Sequence, residues 1–252
     1  MTRERNLATD RARGAGWQTA IDMCVAPRVA CAQLRETPTW GWAFLIALAL
    51  GMLAAFVISP AFAHALSVEL PARLAATPHI AAMPNEQRDT IIAQQVGLAQ
   101  TIARFSFVFV PVAVAAGSLI QAVIMLIANA VGKGDGAFKR FWALAVNAAV
   151  VGTGVSSLAL MAVVLLRGTS SFGSSDEIAA ALPGLGMLVP AGAKAAAAFF
   201  GAINVFTVWN MVLLAAGMMI VGRVPRMTAI VTAVIMLAGT GLFPLIGALV
   251  QK

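Results

Sequence analysis

Phe105–Gly132, FSFVFVPVAVAAGSLIQAVIMLIANAVG, runs for 28 residues without an Asp, Glu, Lys or Arg, and is held between Arg104 and Lys133. A helix crosses about 30 Å of hydrocarbon with roughly 20 apolar residues, so this stretch is long enough to span a membrane. Four other uncharged runs, Thr37–Val68, Phe141–Leu166, Ala195–Gly222 and Met227–Gln251, are each at least 25 residues long. A sixth, Ile178–Ala193, has only 16 residues and contains Pro183, Gly184, Gly186 and Pro190, so it is both short and broken as a helix. The pattern predicts an all-α, polytopic membrane helical bundle with five transmembrane helices, at about 41–63, 105–131, 141–166, 197–221 and 228–250.

Composition agrees with that reading. With 60% apolar and 11% charged residues in a chain of 252, there is too little charge to cover a water-soluble surface. The net charge of +7 does not point to nucleic acid, because the basic residues sit at the ends of apolar runs and form no aromatic-interleaved patch. Taking the N-terminus as cytoplasmic, that side collects eleven basic residues: Arg3, Arg5, Arg11, Arg13, Arg28, Arg35, Lys133, Lys139, Arg140, Arg223 and Arg226. The other side holds six: Arg73, Arg88, Arg104, Arg167, Lys194 and Lys252. The excess predicts a cytoplasmic N-terminus and an extracytoplasmic C-terminus. The first apolar run is expected to be an uncleaved anchor, since about 40 residues precede it and its core exceeds the roughly 7–15 residues of a signal peptide.

Residues 1–16 are expected to be a disordered cytoplasmic tail. Over 17–36 the apolar residues Trp17, Ile21, Cys24, Val25, Val29 and Leu34 recur mostly at steps of three and four. That spacing predicts an interfacial amphipathic helix, interrupted or kinked near Pro27. Trp40 and Trp42 suit the headgroup layer at the entrance to the first span. After Pro84 a helix is expected to start, to carry Ile91, Leu98, Ile102 and Phe105 on one face, and to pack on the neighbouring loop. Cys24 and Cys31, seven residues apart, would stand about 10 Å from each other on a helix, too far for a disulfide, and read as free thiols.

No ionisable side chain lies in the middle of a span, which disfavours a proton-coupled pump. The only histidines, His64 and His79, belong to no HExxH helix and lie far from Ser156 and Ser157, so neither a metalloprotease nor a serine hydrolase is expected. Gly132-Lys133-Gly134-Asp135 matches the GxGD of intramembrane aspartyl proteases but lacks a second aspartate in any span. It also lacks the GK[ST] ending of a phosphate-binding loop. No enzyme activity, cofactor or metal is expected.

What stays polar inside the spans is amide and hydroxyl, and the candidate positions are the amides Gln121, Asn129, Asn147, Asn204 and Asn210. These either hydrogen-bond between helices or line a polar path for a transported or lipid substrate. The loop carrying Lys133, Asp135, Lys139 and Arg140 is the candidate cytoplasmic interaction site, its three glycines permitting a tight reversal. The expected partners are the lipid bilayer and a membrane or cytoplasmic protein.

Four stretches resemble the YIP (Ypt-interacting protein) domain family, in its bacterial branch. They are Leu34-Arg35-Glu36-Thr37-Pro38-Thr39-Trp40, Met83-Pro84-Asn85-Glu86-Gln87-Arg88, Gly134-Asp135-Gly136-Ala137-Phe138-Lys139-Arg140-Phe141, and the run Phe206-Thr207-Val208-Trp209-Asn210-Met211-Val212-Leu213-Leu214-Ala215-Ala216-Gly217. The resemblance implies a five-helix YIP-like domain over 37–252, a cytosolic N-terminus and a non-enzymatic role in membrane organisation or trafficking. Eukaryotic members bind Rab-type GTPases; the Ala-rich, Arg-over-Lys composition here looks bacterial and implies an inner-membrane protein without such a partner. Where members often carry a tyrosine in the third span, this chain has Asn147 and no tyrosine at all.

Overall fold

Inside hydrocarbon a chain must satisfy its own backbone, which helices do residue by residue. The computed structural model describes residues 16–190 and 193–250, and among these the elements are all helical, with one isolated bridge between Gly184 and Asn204. Residues 1–15, where the disordered tail is expected, lie outside the described residues.

Two short helices, α1 (Gly16–Val25) and α2 (Pro27–Glu36), meet at Ala26–Pro27 and are joined side by side by a Thr19 Oγ1 to Gln33 Oε1 hydrogen bond of 3.1 Å. Helix α3 (Gly41–Ala75) is 35 residues long and contains both Pro60 and Pro71. The expected end of this span near residue 63 is thus passed by three turns. After α4 (Pro78–Ala81), helix α5 (Asn85–Arg104) returns along α3, and a 3₁₀ turn at Ser106–Phe109 offsets it from α6 (Val110–Val131). Helices α7 (Phe138–Ala149) and α8 (Ser156–Arg167) are continuous through a π-helical turn, Val150–Val155, where Gly152 and Gly154 permit other helices to approach. Short α9 (Ser175–Ala179) and α10 (Lys194–Gly201) precede α11 (Val205–Val221) and α12 (Arg226–Val250).

Four of these helical stretches are long and apolar enough to cross a membrane: Gly41–Ala75, Ser106–Val131, Phe138–Arg167 and Arg226–Ile246. The expected span at 197–221 is not one helix. It breaks between Gly201 and Val205, and α11 alone has 17 residues, a rise of about 25 Å. Asn204 causes the break: its Oδ1 accepts from the backbone N–H of Phe206 at 2.9 Å and of Thr207 at 3.0 Å, while Thr207 Oγ1 accepts from the Asn204 N–H at 2.8 Å. This reciprocal capping box starts a new helix there.

The core falls into three apolar clusters. One joins α2, α6, α7, α11 and α12 around Leu34, Met125, Phe141, Leu144 and Met218. A second joins α1, α3, α6 and α7 through small residues such as Ala20, Ala47 and Ala149. A third, at the other end, joins α3 and α8 to Phe172 and Ile178.

Two amphipathic stripes read from the sequence prove to be split. In α1 and α2 the buried face is Ala20, Met23, Ala30, Cys31 and Leu34, whereas Trp17, Ile21, Val25 and Val29 are exposed on the other side. The exposed side also carries Gln18, Arg28 and Glu36, so it is mixed in character, while the buried side packs into the bundle. In α5 the residues turned from solvent are Ile91, Ile92, Val96 and Ala103; Leu98, Ile102 and Phe105, expected to pack, are exposed.

Candidate functional site

One end of the bundle carries Arg35, Lys133, Lys139, Arg140, Arg223 and Arg226, and is called the basic end below. Its geometry is set by Asn129 in the last turn of α6. Asn129 Nδ2 donates to the carbonyls of Gly136 at 3.1 Å and Gly134 at 3.4 Å, and its Oδ1 accepts from the Gly136 N–H at 3.0 Å. The loop is thereby folded back over the helix that it leaves. Asp135 between the two glycines donates its N–H to the Gly222 carbonyl at 2.8 Å, which ties the loop to the turn between α11 and α12.

The Asp135 carboxylate then bridges two guanidinium groups, Arg35 of α2 and Arg223, each at 3.3 Å. Arg35 also donates through Nη1 to the Ile220 carbonyl at 3.1 Å, near the C-terminus of α11 where the helix dipole favours a cation. Three segments remote in sequence thus meet at one carboxylate. Asp135 is 45% exposed, so each ion pair stabilises by about 0–1 kcal/mol at most, and the amide and backbone bonds set the shape.

The glycines act here by allowing close approach. The positive φ in this loop belongs to Lys133, at 53°, and in the neighbouring turn to Arg223, at 49°. Both follow a glycine at a helix C-terminus, at a position where glycine is the usual choice. A basic side chain stands at each despite the backbone cost. Gly134 and Gly136, in contrast, are pressed against Gly222 and against the side chains of Asn129 and Phe141 respectively. Lys133 and Lys139 are exposed, and along with Arg140 they form no ion pair among the described residues.

The five intramembrane amides do not converge. Asn129 belongs to the basic-end loop, and Asn204 caps α11 at its opposite end. Asn147 in α7 is fully buried and donates through Nδ2 to the carbonyls of Thr39 at 2.9 Å and Ala143 at 2.8 Å; its Oδ1 has no partner among the described residues. Asn210 in α11 packs its amide on Gly152 of the π-helical turn, and its Oδ1 is likewise unpartnered. Gln121 is half-buried in α6. The spacing Asn204-x-x-Thr207 is a local signal that the reading of 197–221 as one span passed over, whereas the tie from Asp135 to Arg35 spans 100 residues and leaves no local signal.

Both thiols are free. Burial pushes the Cys31 thiol up to about 11 and raises that of Cys24, which keeps them protonated and poorly nucleophilic. Among the described residues no three His, Cys, Asp or Glu side chains group as a metal site. An apolar cleft of about 380 Å³ lies beside Cys24, bounded by Val151, Val155, Val205 and Trp209. Compared with family models, curated proteins and solved structures, the chain matches none.

Proposed function

We propose that this chain is a non-catalytic, YIP-type scaffold or interaction protein of the bacterial inner membrane, acting in membrane organisation or trafficking through its basic end. The observation that carries this reading is the Asp135 junction. It fixes α2 and two turns into one preorganised surface and leaves Lys133 and Lys139 free to meet a partner. Preorganisation of this kind lowers the ordering cost of binding. The competing reading, a transporter or lipid-handling protein using polar intramembrane residues, would need Gln121, Asn129, Asn147, Asn204 and Asn210 to share a path, and two of them, Asn129 and Asn204, are engaged as loop anchor and helix cap at opposite ends.

A photocrosslinking residue in place of Lys139 tests the scaffold reading in intact cells. The expected result is a discrete protein adduct whose yield falls when Asp135→Asn is added, since that change removes the two ion pairs and leaves the backbone tie to Gly222 in place. Adducts unaffected by Asp135→Asn, or solute and lipid flux in liposomes above that of empty ones, would count against it.

In the same reading α11 is a fifth crossing, with the N-terminus cytoplasmic and the C-terminus extracytoplasmic. Its rise of about 25 Å is short of a full bilayer core, a mismatch that local thinning and the apolar α10 above it accommodate. The eleven-to-six distribution of basic residues supports the orientation. Alkaline phosphatase fused after Lys252 is expected to be active, and green fluorescent protein at the same place dark. A fluorescent, phosphatase-inactive C-terminus would mean an even number of crossings.

A further inference from the structure

At the end of the bundle away from the basic end, α3 and the α5–α6 joint part to leave a cleft of about 740 Å³. Two breaks in regular helix create it. Pro60 interrupts the hydrogen-bond ladder of α3, and the 3₁₀ turn Ser106–Phe109 shifts α5 off the axis of α6. Phe56 and Phe107 meet edge to face across the gap with centroids 5.7 Å apart, and with Val57 and Pro60 they make an apolar floor.

The rim is of a different character. Arg104, His64, Gln100 and Ser67 stand around it, and no carboxylate lines the cleft. Arg104 forms no ion pair among the described residues. Beside the cleft, the exposed apolar stripe Leu98, Ile102, Phe105, Phe109 and Val112 runs continuously from α5 onto the lipid side of α6. The mouth therefore opens where hydrocarbon gives way to headgroups.

We propose that this cleft binds an anionic phospholipid, with an acyl chain laid on the Phe56–Phe107 floor and the phosphate on Arg104. The volume falls in the roughly 300–1,000 Å³ range usual for small-ligand sites. A guanidinium with no acidic partner matches a phosphate in charge and fork geometry, and an arginine at the membrane boundary is placed to meet one. A soluble anion would leave the apolar floor wet, and an uncharged lipid would leave Arg104 unmatched. Both halves of the cleft thus select a molecule that carries both characters. This site lies away from the cytoplasmic-face reading and does not depend on it.

The test is native mass spectrometry of purified protein titrated with phosphatidylglycerol and, separately, phosphatidylcholine. Wild type is expected to retain one phosphatidylglycerol in clear preference to phosphatidylcholine. Arg104→Gln should weaken that binding at least about tenfold, as loss of a charge-assisted hydrogen bond implies. Val57→Trp, which fills the floor and leaves the charge, should weaken it as well, and Arg88→Gln, elsewhere on α5, should not. Circular dichroism and the thermal midpoint confirm that each variant is folded. Equal binding by wild type and Arg104→Gln, equal loss in Arg88→Gln, or full displacement of the lipid by inorganic phosphate would overturn the proposal.

Discussion

Gly134→Ala is expected to lower the stability of the detergent-solubilised protein by about 2–4 kcal/mol, the sum of overpacking and of hydrogen bonds lost around it. A methyl group at residue 134 would overlap Asn129 Oδ1 and lie 2.5 Å from the Gly222 carbonyl oxygen. The Asn129 amide could turn aside only by giving up its bonds to Gly134 and Gly136. The Gly222 carbonyl is less free still, being backbone that also accepts from Asp135. Gly117→Ala in the middle of α6, where a methyl group meets nothing within 4 Å, is the matched control and should be neutral or gain up to about 1 kcal/mol from helix propensity. Thermal unfolding of the two variants beside wild type decides the matter. Equal midpoints for Gly134→Ala and Gly117→Ala would mean that the loop is not held against the α11–α12 turn.

That loop also marks where sequence reading stops. Four of the five charge-free runs located helices long and apolar enough to cross a membrane, because transfer of a charge into hydrocarbon is costly. They did not locate helix ends. Glu69 and Arg73 break the run after Val68, but the two pair with each other one turn apart, and Glu69 accepts from the Ser175 N–H at 3.1 Å and hydroxyl at 3.0 Å. With these charges satisfied by one another and by Ser175, α3 continues to Ala75. At Asn204 the opposite happened: an uncharged run concealed a helix start, since a capping box needs only an amide and a hydroxyl.

Candidate site residues divide along the same line. Asn129 and Asp135 were visible as polar or charged residues in an apolar context, yet what each holds was not. The partners of Asp135 are Arg35 and Arg223, and Arg35 reaches Ile220 across 185 positions. Periodicity reports that a helix has an apolar face, not which of two apolar faces is covered by protein. The N-terminal hairpin illustrates this, with Met23 and Leu34 in the core and Val25 and Val29 outside it. Where apolar residues stand on the exposed side as well as the buried one, the period no longer distinguishes the two.

Asn147→Leu and Asn210→Leu exchange the same amide for a side chain of similar size, and they are expected to differ in sign. The Asn147 amide nitrogen holds the Thr39 carbonyl, in the turn that leads into α3, and the Ala143 carbonyl. Leucine leaves the Thr39 oxygen without its donor; Asn147 is fully buried but Thr39 is exposed, so the loss is that of one hydrogen bond, about 1–1.5 kcal/mol. Removing the Oδ1 of Asn147, which has no partner among the described residues, offsets part of this, so the net fall is expected to be up to about 1 kcal/mol. Asn210 also has an unpartnered Oδ1, and no backbone group among the described residues relies on its side chain. There leucine removes a buried polar group and strands nothing, so stability should hold or rise by up to about 1 kcal/mol, provided that the close contact with Gly152 survives. Thermal midpoints in one detergent give the comparison. A fall for both would mean that Asn210 has a hydrogen-bond partner in the membrane. A fall for neither would mean that water or lipid satisfies the Thr39 carbonyl once the amide is gone.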